Sequence, residues 1–515
     1  MTKSWPTGAK LLPLILMVTS FMAGRSFDLL WSRQRFGTAL MSHEDAFLIS
    51  VQVQRVHEVQ EKHRGNYSEG APQLTGAEQE RIRSGNWTGF NTATPTTLRN
   101  VLFGIGSSVH SYSSRKDLVR TWWQPNKTRG FVWLDGALQD YDWASEGLPE
   151  ARVSEDTSHL PYTGWGPRSC LRVARIVIEA FQLGLPDVRW FVMGDDDTVF
   201  NPDALAAVLS SYDHTEMLYL GSASETGEQL VIAGYEMAYG GGGIAVSWPL
   251  ALALSETMDD CIRRYPEQYG SDARVRICSA ELGVQLTRVR GFHQFDLRGN
   301  VAGFLQAHPL APFISMHHVM LLDPVFPNMT RVPALARFTN NMRADPINFL
   351  QTAFCIDHEN MFTAVVSWGY SVKLFVGAGR VGDLERAEMT FQSYGYRKGI
   401  KEFTFDTRSE VESYPDGGQC ATPINLWVDG VGASAGNKMN STYSRDVPKN
   451  QTDCVPHMVA RVSEATITRD VVPFAPSRDG LFRGPNLRRQ CCRSLSVDPS
   501  WSKLVIELGS CNGIL

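Results

Sequence analysis

The chain has 515 residues, a formal net charge of -5 at pH 7 and 43% hydrophobic residues. This length leaves room for two or three domains and a large core. A mildly acidic chain without a basic excess argues against nucleic acid as a partner, so we expect none.

A mostly apolar run, 11–24, lies near the N-terminus between Lys10 and Arg25. The run is short for a helix that spans a membrane and is close in length to the core of a signal peptide. The thinner membranes of the early secretory pathway tolerate shorter spans. We therefore predict an uncleaved signal anchor over residues 1–30 of a single-pass type II protein in the Golgi membrane. A cleaved signal peptide is the alternative.

Two further features indicate a secretory glycoprotein. Residues 31–92 are polar and lack a long periodic pattern, which favours a stem. Acceptor sequences for N-glycosylation are spread along the chain and suit exposure to the lumen. They occur at Asn66, Asn86, Asn126, Asn328, Asn440 and Asn450.

The first elements after the stem form a candidate nucleotide cradle. A strand is predicted over 98–104, and it opens into a glycine-serine loop before a helix that contains Arg115 and Arg120. A strand, a glycine-rich loop and a helix N-terminus together can hold phosphates. A second predicted strand, 130–134, ends in Asp135.

The stretch 190–200 is the strongest signal, because apolar residues lead through Gly194 into Asp195, Asp196 and Asp197. The apolar run predicts a strand buried on both faces, with the carboxylates at its carboxyl end, where open α/β sheets bind ligands. Adjacent like charges need a cation, and oxygen ligands suit Mg²⁺ or Mn²⁺. The triplet fits both the Asp-x-Asp metal motif of nucleotide-sugar glycosyltransferases and the nucleophile motif of haloacid-dehalogenase-type phosphohydrolases.

Helices and strands alternate around this segment. Helices are predicted over 168–183 and from a start at 201–203 to 212, with Pro202 in the first turn, and a strand is predicted over 217–221. The alternation argues for an α/β fold with a mostly parallel, doubly wound sheet and helices on both faces.

Two later segments add candidate ligand-binding groups. Four consecutive glycines, among them Gly241 and Gly242, allow a ligand to approach the backbone closely. The adjacent histidines His317 and His318 lie downstream of the carboxylates and are a reasonable source of one imidazole ligand.

After Pro327 the chain becomes rich in predicted strands and cysteines, which favours a β-rich module over 335–515. We expect a bridge between Cys261 and Cys278, and Cys170 as the thiol left over from nine cysteines. The remaining cysteines are expected to form disulfides within the module: Cys355, Cys420, Cys454, Cys491, Cys492 and Cys511.

The block 101–327 resembles Fringe-like β-1,3-glycosyltransferases, and the chain after the stem is similar to the Fringe-related branch found in plants. The resemblance rests on ordered motifs. They are the basic helix 115–122, the Leu-Asp-Gly turn at 134–136, the segment 190–197, the glycines at 241–243 with Ala245, the segment 270–272 with Leu282 and Gly283, and the histidine motif 316–318.

The resemblance implies a GT-A-like glycosyltransferase domain over 93–334. The implied activity is that of a β-1,3-type hexosyltransferase, which transfers galactose or N-acetylglucosamine with inversion from a UDP-sugar to a hydroxyl of a glycan, glycoprotein or glycoside. The phosphohydrolase interpretation loses, because the anchor, the nucleotide loop and the glycines have no role in it. The implied donor-binding residues are Arg115, Arg120, Asp135, Asp195, Asp196, Gly241 and Gly242, and the expected ligands of Mn²⁺ or Mg²⁺ are Asp195, Asp197 and His318.

Two departures from the family pattern bear on catalysis. Ser271 stands where the family has the first acid of a pair, which leaves Asp272 as the candidate base, and 319–320 replace the usual Leu-acid pair. The dipole at the start of its helix is expected to keep Asp272 ionised, although a simple helix cap is the alternative role. Glu281, about two turns further along, is the alternative base. The departures keep open a catalytically inactive glycan-binding protein on the same fold.

Overall fold

A computed structural model of the chain describes residues 94–138, 143–394, 402–410, 423–445, 458–471 and 488–511. Every described residue belongs to one compact unit, Thr88–Leu515. The predicted anchor and stem lie outside the described residues, as do Asn66, Asn86, Asn450, Cys420 and Cys454. Within the described ranges, no helix combines the length and apolar character needed to cross a membrane.

Eleven strands precede residue 320 in the described chain. They are β1 Val101–Gly106, β2 Arg129–Leu134, β3 Glu150–Val153, β4 Trp190–Asp195, β5 Val199–Phe200, β6 Tyr219–Gly221, β7 Ile244–Ser247, β8 Leu286–Arg288, β9 Phe292–His293, β10 Leu297–Gly299 and β11 Ser315–Met316.

The α-helices of the described chain have the following bounds. They are α1 Tyr112–Trp122, α2 Trp143–Glu146, α3 Ser169–Gln182, α4 Pro202–Leu209, α5 Gly227–Ala233, α6 Trp248–Arg264, α7 Gly270–Glu281, α8 Ala302–Gln306, α9 Arg331–Ala344 and α10 Val381–Leu384.

A seven-stranded sheet with the order β3-β2-β1-β4-β7-β6-β8 forms the centre of this region. Neighbouring strands from β3 to β4 run parallel, and β6 and β8 are also parallel. Strand β7, in contrast, is antiparallel to both β4 and β6. The predicted α/β architecture is therefore present, but the sheet is mixed.

Side chains alternate between the two faces of the sheet, as expected for strands. In β1, Val101 and Phe103 join the core that includes Leu118 and Trp122 of α1. Leu102 faces the opposite core, which contains residues of α3, α6 and α7. Helices thus cover both faces, and every side chain of β1 is buried.

Predicted and observed element bounds differ at some ends. Strand β1 begins at Val101 because residues 98–100 form a short 3-10 helix, whose start is fixed by a hydrogen bond of 3.0 Å from Thr97 N to Asn100 Oδ1. Helix α4 ends at Leu209, three residues before its predicted end. Its predicted start is confirmed, since Asn201 Oδ1 accepts a hydrogen bond from Ala204 N.

Eleven strands follow residue 350 in the described chain. They are β12 Thr352–Asp357, β13 Phe362–Ser367, β14 Ser371–Val376, β15 Ala387–Glu388, β16 Phe391–Ser393, β17 Thr407–Arg408, β18 Ile424–Ser434, β19 Lys438–Arg445, β20 Glu464–Asp470, β21 Cys491–Val497 and β22 Lys503–Gly509. Eight of them form a sheet with the order β12-β13-β14-β18-β19-β20-β22-β21, in which neighbours are antiparallel except for β20 and β22. Of the other three, β15 pairs with β17, and β16 pairs with β10.

Disulfides join elements in both parts of the described chain. Cys261–Cys278 joins α6 to α7, as predicted, and Cys170 is a buried free thiol, also as predicted. Two further bridges, Cys355–Cys492 and Cys491–Cys511, tie strands of the eight-stranded sheet together and to the segment that follows it.

The predicted boundary between residues 334 and 335 falls inside helix α9. This helix contacts the first part through Thr339, whose hydroxyl donates to Thr121 O at 2.7 Å. It also contacts the second part through Arg337, whose Nε donates to Val428 O at 2.8 Å. The division into 93–334 and 335–515 stays a prediction, and α9 belongs to the packing of both sides.

Candidate active site

The acidic triplet lies in a tight turn at the carboxyl end of β4. Pairing of Gly106 with Asp195 sets this turn beside the loop that follows β1. The hydroxyl of Thr198 closes the turn, because it accepts from Asp195 N at 3.0 Å. The same hydroxyl donates to Gly241 O at 2.7 Å, so the glycine segment is attached to the acidic turn.

A small three-stranded sheet, β5-β11-β9, brings a histidine to the carboxylates. Met316 in β11 is paired antiparallel with Val199 in β5, so the residue after Met316 meets the residues before Val199. The Nε2 atom of His317 lies 3.1 Å from Asp197 Oδ1 and 3.4 Å from Asp195 Oδ2. Potential ligand atoms of Asp195, Asp197 and His317 all lie within 4.8 Å of one another.

The histidine of this set is His317, which corrects the predicted His318. His318 has a positive φ of 55°, so the chain turns at this residue. Its Nδ1 atom lies 3.3 Å from Phe295 O and 3.4 Å from Asp296 Oδ1. Its ring stacks on His317 and on Tyr394, with centroid distances of 3.8 and 4.9 Å. His318 therefore supports the ring of His317 from behind.

The charges of Asp195, Asp197 and His317 depend strongly on one another. Burial opposes ionisation of Asp197, but the hydrogen bond and charge of His317, together with Arg115, lower its pKa to about 2. Burial would lower the pKa of His317, yet Asp195 and Asp197 raise it to about 10. A cation is thus favourable between these two carboxylates.

The donor atoms fit a divalent metal ion. Carboxylates suit Mg²⁺ and Mn²⁺, and an imidazole among the ligands favours a transition-metal ion. The Nδ1 atom of His317 is buried without a hydrogen-bond partner in the described chain. The imidazole must be neutral to bind an ion, so binding would release the proton that His317 holds.

The side chain of Asp196 binds residues of the loop after β1 and of helix α1. Its carboxylate accepts from Ser107 Oγ at 2.5 Å, from Ser111 Oγ at 3.2 Å and from Arg115 Nη1 at 2.6 Å. Burial raises the pKa of Asp196, although the hydrogen bonds from Ser107 and Arg115 and the charge of Arg115 act in the opposite direction. Arg115 also lies 3.9 Å from Asp197 Oδ2. Asp196 therefore fixes the guanidinium of Arg115 at the edge of the acidic turn.

Arg120 and Asp135, two residues predicted to bind the donor, have other partners in the structure. Arg120 pairs with Asp117 and Glu146, so its side chain is directed toward α2 instead of the acidic turn. Asp135 is exposed at the end of β2 and accepts from Val109 N at 2.8 Å. It holds the loop between β1 and α1 from the outside.

The glycines pack tightly against the acidic turn in a 3-10 helix, Gly240–Gly242. A Cβ atom on Gly241 would lie 2.1 Å from Cε1 of His317, which is far too close. Gly242 N donates to Gln294 Oε1 at 2.7 Å. In the structure the imidazole of His317 and the segment around Gln294 lie close to the glycine backbone, and the approach of a ligand to these glycines stays a prediction.

Asp272 faces this glycine turn from the first turn of α7. Its Oδ2 atom accepts from Gly240 N at 3.0 Å, and its Oδ1 atom accepts from Ser271 Oγ at 3.1 Å. Burial raises the pKa of Asp272 against the hydrogen bond from Gly240 N, and the charge of Asp195 adds to the rise. The carboxylate consequently holds a proton more strongly than the helix dipole alone predicted.

One small cavity joins the two carboxylate groups. Its polar lining includes Asp195, Gly240, Ser271 and Asp272, and the rest is mostly apolar. Glu281, the alternative base, is not part of this lining and pairs with Arg264 at 2.9 Å. The structure therefore brings the predicted base, and not its alternative, to the acidic turn.

Sequence reasoning missed several residues that shape the site. Ser107 and Ser111 follow β1, where the glycine-serine loop was already a candidate cradle. Thr198 follows the acidic triplet directly, and a hydroxyl at that position is a recognisable turn-closing signal. Gln294 carries no local signal, because only the fold brings it to Gly242.

Two family models match the chain. One, described as Fringe-like, matches residues 96–351, and the other, described as a protein of unknown function, DUF604, matches residues 229–492. Residues 96–351 are thus Fringe-like, and the chain belongs to the family described as DUF604, whose model matches just over half of it.

Relatives of this chain are β-1,3-glycosyltransferases by name. Beta-1,3-glucosyltransferase of Mus musculus is 30% identical over 233 residues, which cover 45% of this chain and 43% of the relative. Beta-1,3-N-acetylglucosaminyltransferase lunatic fringe of Xenopus laevis is 25% identical over 223 residues, which cover 38% and 54%. The chain thus spans about half the length of these relatives.

Among solved structures, mouse xyloside xylosyltransferase 1 in its apo form is similar to 39% of this chain, over 86% of its own length. The TM-score is 0.25 at 8% sequence identity.

Proposed function

We propose that the chain is a metal-dependent, inverting glycosyltransferase of the β-1,3 type with a GT-A-like fold. It moves a sugar from a UDP-sugar to a hydroxyl of a glycan or glycoside. The observation that carries the proposal is the cavity that joins Asp195 of the metal-ligand set to Asp272. The β-1,3-glycosyltransferase relatives support the same reaction class.

In this proposal Asp195, Asp197 and His317 hold a Mn²⁺ or Mg²⁺ ion, which when bound neutralises charge on the leaving diphosphate. Arg115 lies beside the same turn, where its guanidinium can pair with a phosphate oxygen. Asp196 holds Arg115 in that position through a contact of 2.6 Å.

The reaction needs a base on the face of the sugar opposite the diphosphate. The attacking hydroxyl oxygen forms a bond to the anomeric carbon while the bond from that carbon to the diphosphate oxygen breaks. The hydroxyl proton passes to Asp272, whose raised pKa suits proton acceptance. Gly240 N and Ser271 Oγ hold the carboxylate in place during the transfer.

The donor sugar is part of the proposal. The expected donors are UDP-galactose and UDP-N-acetylglucosamine, and the name of the mouse relative adds UDP-glucose to the panel to be tested. The proposed location is the lumen of the Golgi, reached by the predicted N-terminal anchor. The bridges Cys261–Cys278, Cys355–Cys492 and Cys491–Cys511 support an oxidising compartment.

The Asp197→Ala variant tests the metal site. We expect it to lose metal-dependent UDP binding, because the remaining ligands would not hold the ion and the diphosphate together. Titration calorimetry with UDP and MnCl₂, on secreted protein that starts at about residue 90, measures this. The matched control is Asp187→Ala, which removes an exposed carboxylate that pairs with Arg99.

Unchanged Mn²⁺-dependent UDP binding in Asp197→Ala would remove the metal assignment. A donor panel on the unsubstituted protein tests the reaction itself. Turnover of none of the UDP-sugars, with glycan binding retained, would favour the inactive glycan-binding protein instead.

A further inference from the structure

Two large aromatic side chains lie exposed and in contact on one surface. Trp165 is 63% exposed and Tyr269 is 55% exposed. Their rings meet edge to face with centroids 5.8 Å apart. Isolated exposed hydrophobic residues are ordinary, but a fixed pair of exposed aromatic rings is a feature of binding surfaces. We call Trp165 and Tyr269 the aromatic platform.

The platform is held in place by its own turn. Gly166 has a φ of 80°, and a Cβ atom there would lie 2.9 Å from the ring of Tyr269, so only glycine lets the turn press against this ring. Thr163 Oγ1 donates to Pro266 O at 3.3 Å, and the hydroxyl of Tyr162 donates to Gly166 O. The two rings therefore belong to one braced unit.

The platform is adjacent to the candidate base. Tyr269 is the residue before α7, and Asp272 follows it by three residues, a chain distance of at most about 11 Å. The buried guanidinium of Arg274 fixes this start, because its Nη1 atom donates to Gly270 O at 2.6 Å. Ser271 and Asp272 line the cavity of the proposed reaction.

We propose that the aromatic platform binds a pyranose ring of the acceptor, next to the sugar whose hydroxyl attacks. The C–H groups on one face of a pyranose are apolar and slightly positive, and they complement the negative face of an aromatic ring. Rigid aromatic rings give this contact at a low entropy cost. The inference rests on the proposed function. It adds that the acceptor carries a pyranose ring and that this ring binds beside Asp272.

Position favours an acceptor over a donor in this place. The groups suited to a diphosphate, namely Arg115 and the metal-ligand set, lie at the acidic turn, whereas the platform adjoins Asp272. The attacking hydroxyl must lie beside the base, so the rest of the acceptor extends from Asp272. The platform, which begins at the residue before α7, offers that part of the acceptor an exposed aromatic surface.

Saturation-transfer NMR on the secreted protein tests the platform directly. The probes are methyl β-galactoside, methyl β-glucoside and methyl β-N-acetylglucosaminide, with and without Mn²⁺ and UDP. We expect Trp165→Ala to weaken binding of the preferred glycoside about tenfold, in line with the loss of one aromatic contact. Trp165→Phe should restore most of it, since a ring remains.

Two controls separate this effect from damage to the fold or to the donor site. Tyr235→Ala removes another aromatic side chain, 54% exposed, that is not part of the platform, and it should bind the glycoside normally. Binding of UDP with Mn²⁺ should be the same in Trp165→Ala as in the unsubstituted protein. A loss of UDP binding would instead assign Trp165 to the donor and overturn the acceptor role.

The outcomes distinguish the platform from the proposed function. Normal glycoside binding by Trp165→Ala, with donor turnover intact, would overturn the platform alone. Glycoside binding that depends on Trp165 but is accompanied by turnover of no UDP-sugar would support the platform and overturn the transferase. Binding of none of the glycosides by the unsubstituted protein would overturn the platform, and a protein partner would then be the better occupant.

Discussion

The carboxylate of Asp272 does not act as the N-cap of its own helix. The N-cap position of α7 is Tyr269, and no side-chain capping bond forms there. Asp272 instead accepts a hydrogen bond from Gly240, in a segment 32 residues earlier in the chain. Capping of the helix, which was the alternative role for Asp272, therefore does not account for the position of its side chain.

We expect Asp272→Asn to bind UDP almost normally and to lower turnover by a factor on the order of hundreds or more. An amide can still accept a hydrogen bond from Gly240 N, but it cannot take a proton from the attacking hydroxyl. Turnover number and the Kd for UDP, measured on the same sample, separate the two effects. Glu281→Gln is the matched control and should retain near-normal turnover. Near-normal turnover in Asp272→Asn would remove its assignment as the base.

Pattern alone does not decide between neighbouring residues of the same type. His317 and His318 follow β11, and adjacent residues of an extended chain point to opposite sides, so the register of β11 decides which imidazole meets Asp197. Arg115 and Arg120 are five residues apart, about 140° around the helix. The acidic turn was predictable from three adjacent carboxylates, but its partners depend on tertiary pairing.

Gly241→Ala should abolish metal-dependent UDP binding, because the added Cβ would lie 2.1 Å from the imidazole of His317. The ring would have to leave Asp195 and Asp197. Gly240→Ala is a close control, since its Cβ meets its nearest neighbour, Asp272 Cγ, at an ordinary 3.6 Å. Calorimetry of both variants with UDP and MnCl₂ compares them. Equal binding by both would show that the packing of His317 against Gly241 is dispensable.

At the scale of elements, long regular segments were predictable and short ones were not. Helix α3 occupies Ser169–Gln182, close to the predicted 168–183, because its apolar stripe is long. Strands β5, β9 and β11 have two residues each, too few for any periodic signal. These strands nevertheless position His317. The place of this imidazole could therefore not be predicted, because the short strands that hold it leave no pattern in the sequence.

Helix α3 also buries a carboxylate whose charge is costly. Burial raises the pKa of Glu179 to about 7, although a hydrogen bond from Glu155 N and the charge of Arg175 lower it. Arg175 Nε lies 3.7 Å from Glu179, whereas other atoms of its guanidinium are closer to Glu155 and Asp259. Glu179 thus shares the positive charge of Arg175 with Glu155 and Asp259.

Replacing Glu179 by glutamine should therefore change how stability depends on pH. A raised folded-state pKa contributes stability that is present below about pH 4.5 and is lost as the pH rises through about 7, a loss of about 3 kcal/mol. Glu179→Gln should become more stable relative to the unsubstituted protein over this window. Urea midpoints from pH 4 to 8 measure it, with the exposed Glu150→Gln as control. Parallel curves for Glu179→Gln and the unsubstituted protein would contradict the expectation.

At the scale of the whole molecule, one apolar core crosses the predicted domain boundary. Residues from Leu98 to Leu508 belong to the same buried cluster. The rings of Phe338 and Tyr370 meet edge to face with centroids 5.9 Å apart, and so do those of Phe313 and Phe349, also 5.9 Å apart. The change of composition after Pro327 was visible in the sequence, but shared packing has no local signature and could not be predicted.

Polar contacts also cross the boundary. The buried hydroxyl of Tyr370 donates to Val325 O at 2.8 Å, and Gln306 Nε2 donates to Ser371 Oγ at 3.1 Å. A chain that ended after α9 would leave these partners unpaired and would expose faces of aromatic residues that are now buried. Burial of each such side chain contributes roughly 1.5–3 kcal/mol, and the whole stability of a domain is only about 5–15 kcal/mol.

A protein of residues 94–344 should therefore fail to fold cooperatively, although it contains the acidic turn, the glycines and Asp272. Removing 345–511 uncovers Phe313 and Phe338, both fully buried in the longer chain. At roughly 1.5–3 kcal/mol for each side chain, the loss of their packing reaches the lower end of the stability of a whole domain, about 5–15 kcal/mol. Near-ultraviolet circular dichroism and thermal melting, compared with residues 94–511 produced in the same way, measure the effect. A soluble 94–344 protein with a sharp melting transition and Mn²⁺-dependent UDP binding would show that the eight-stranded sheet is dispensable for the fold of the site.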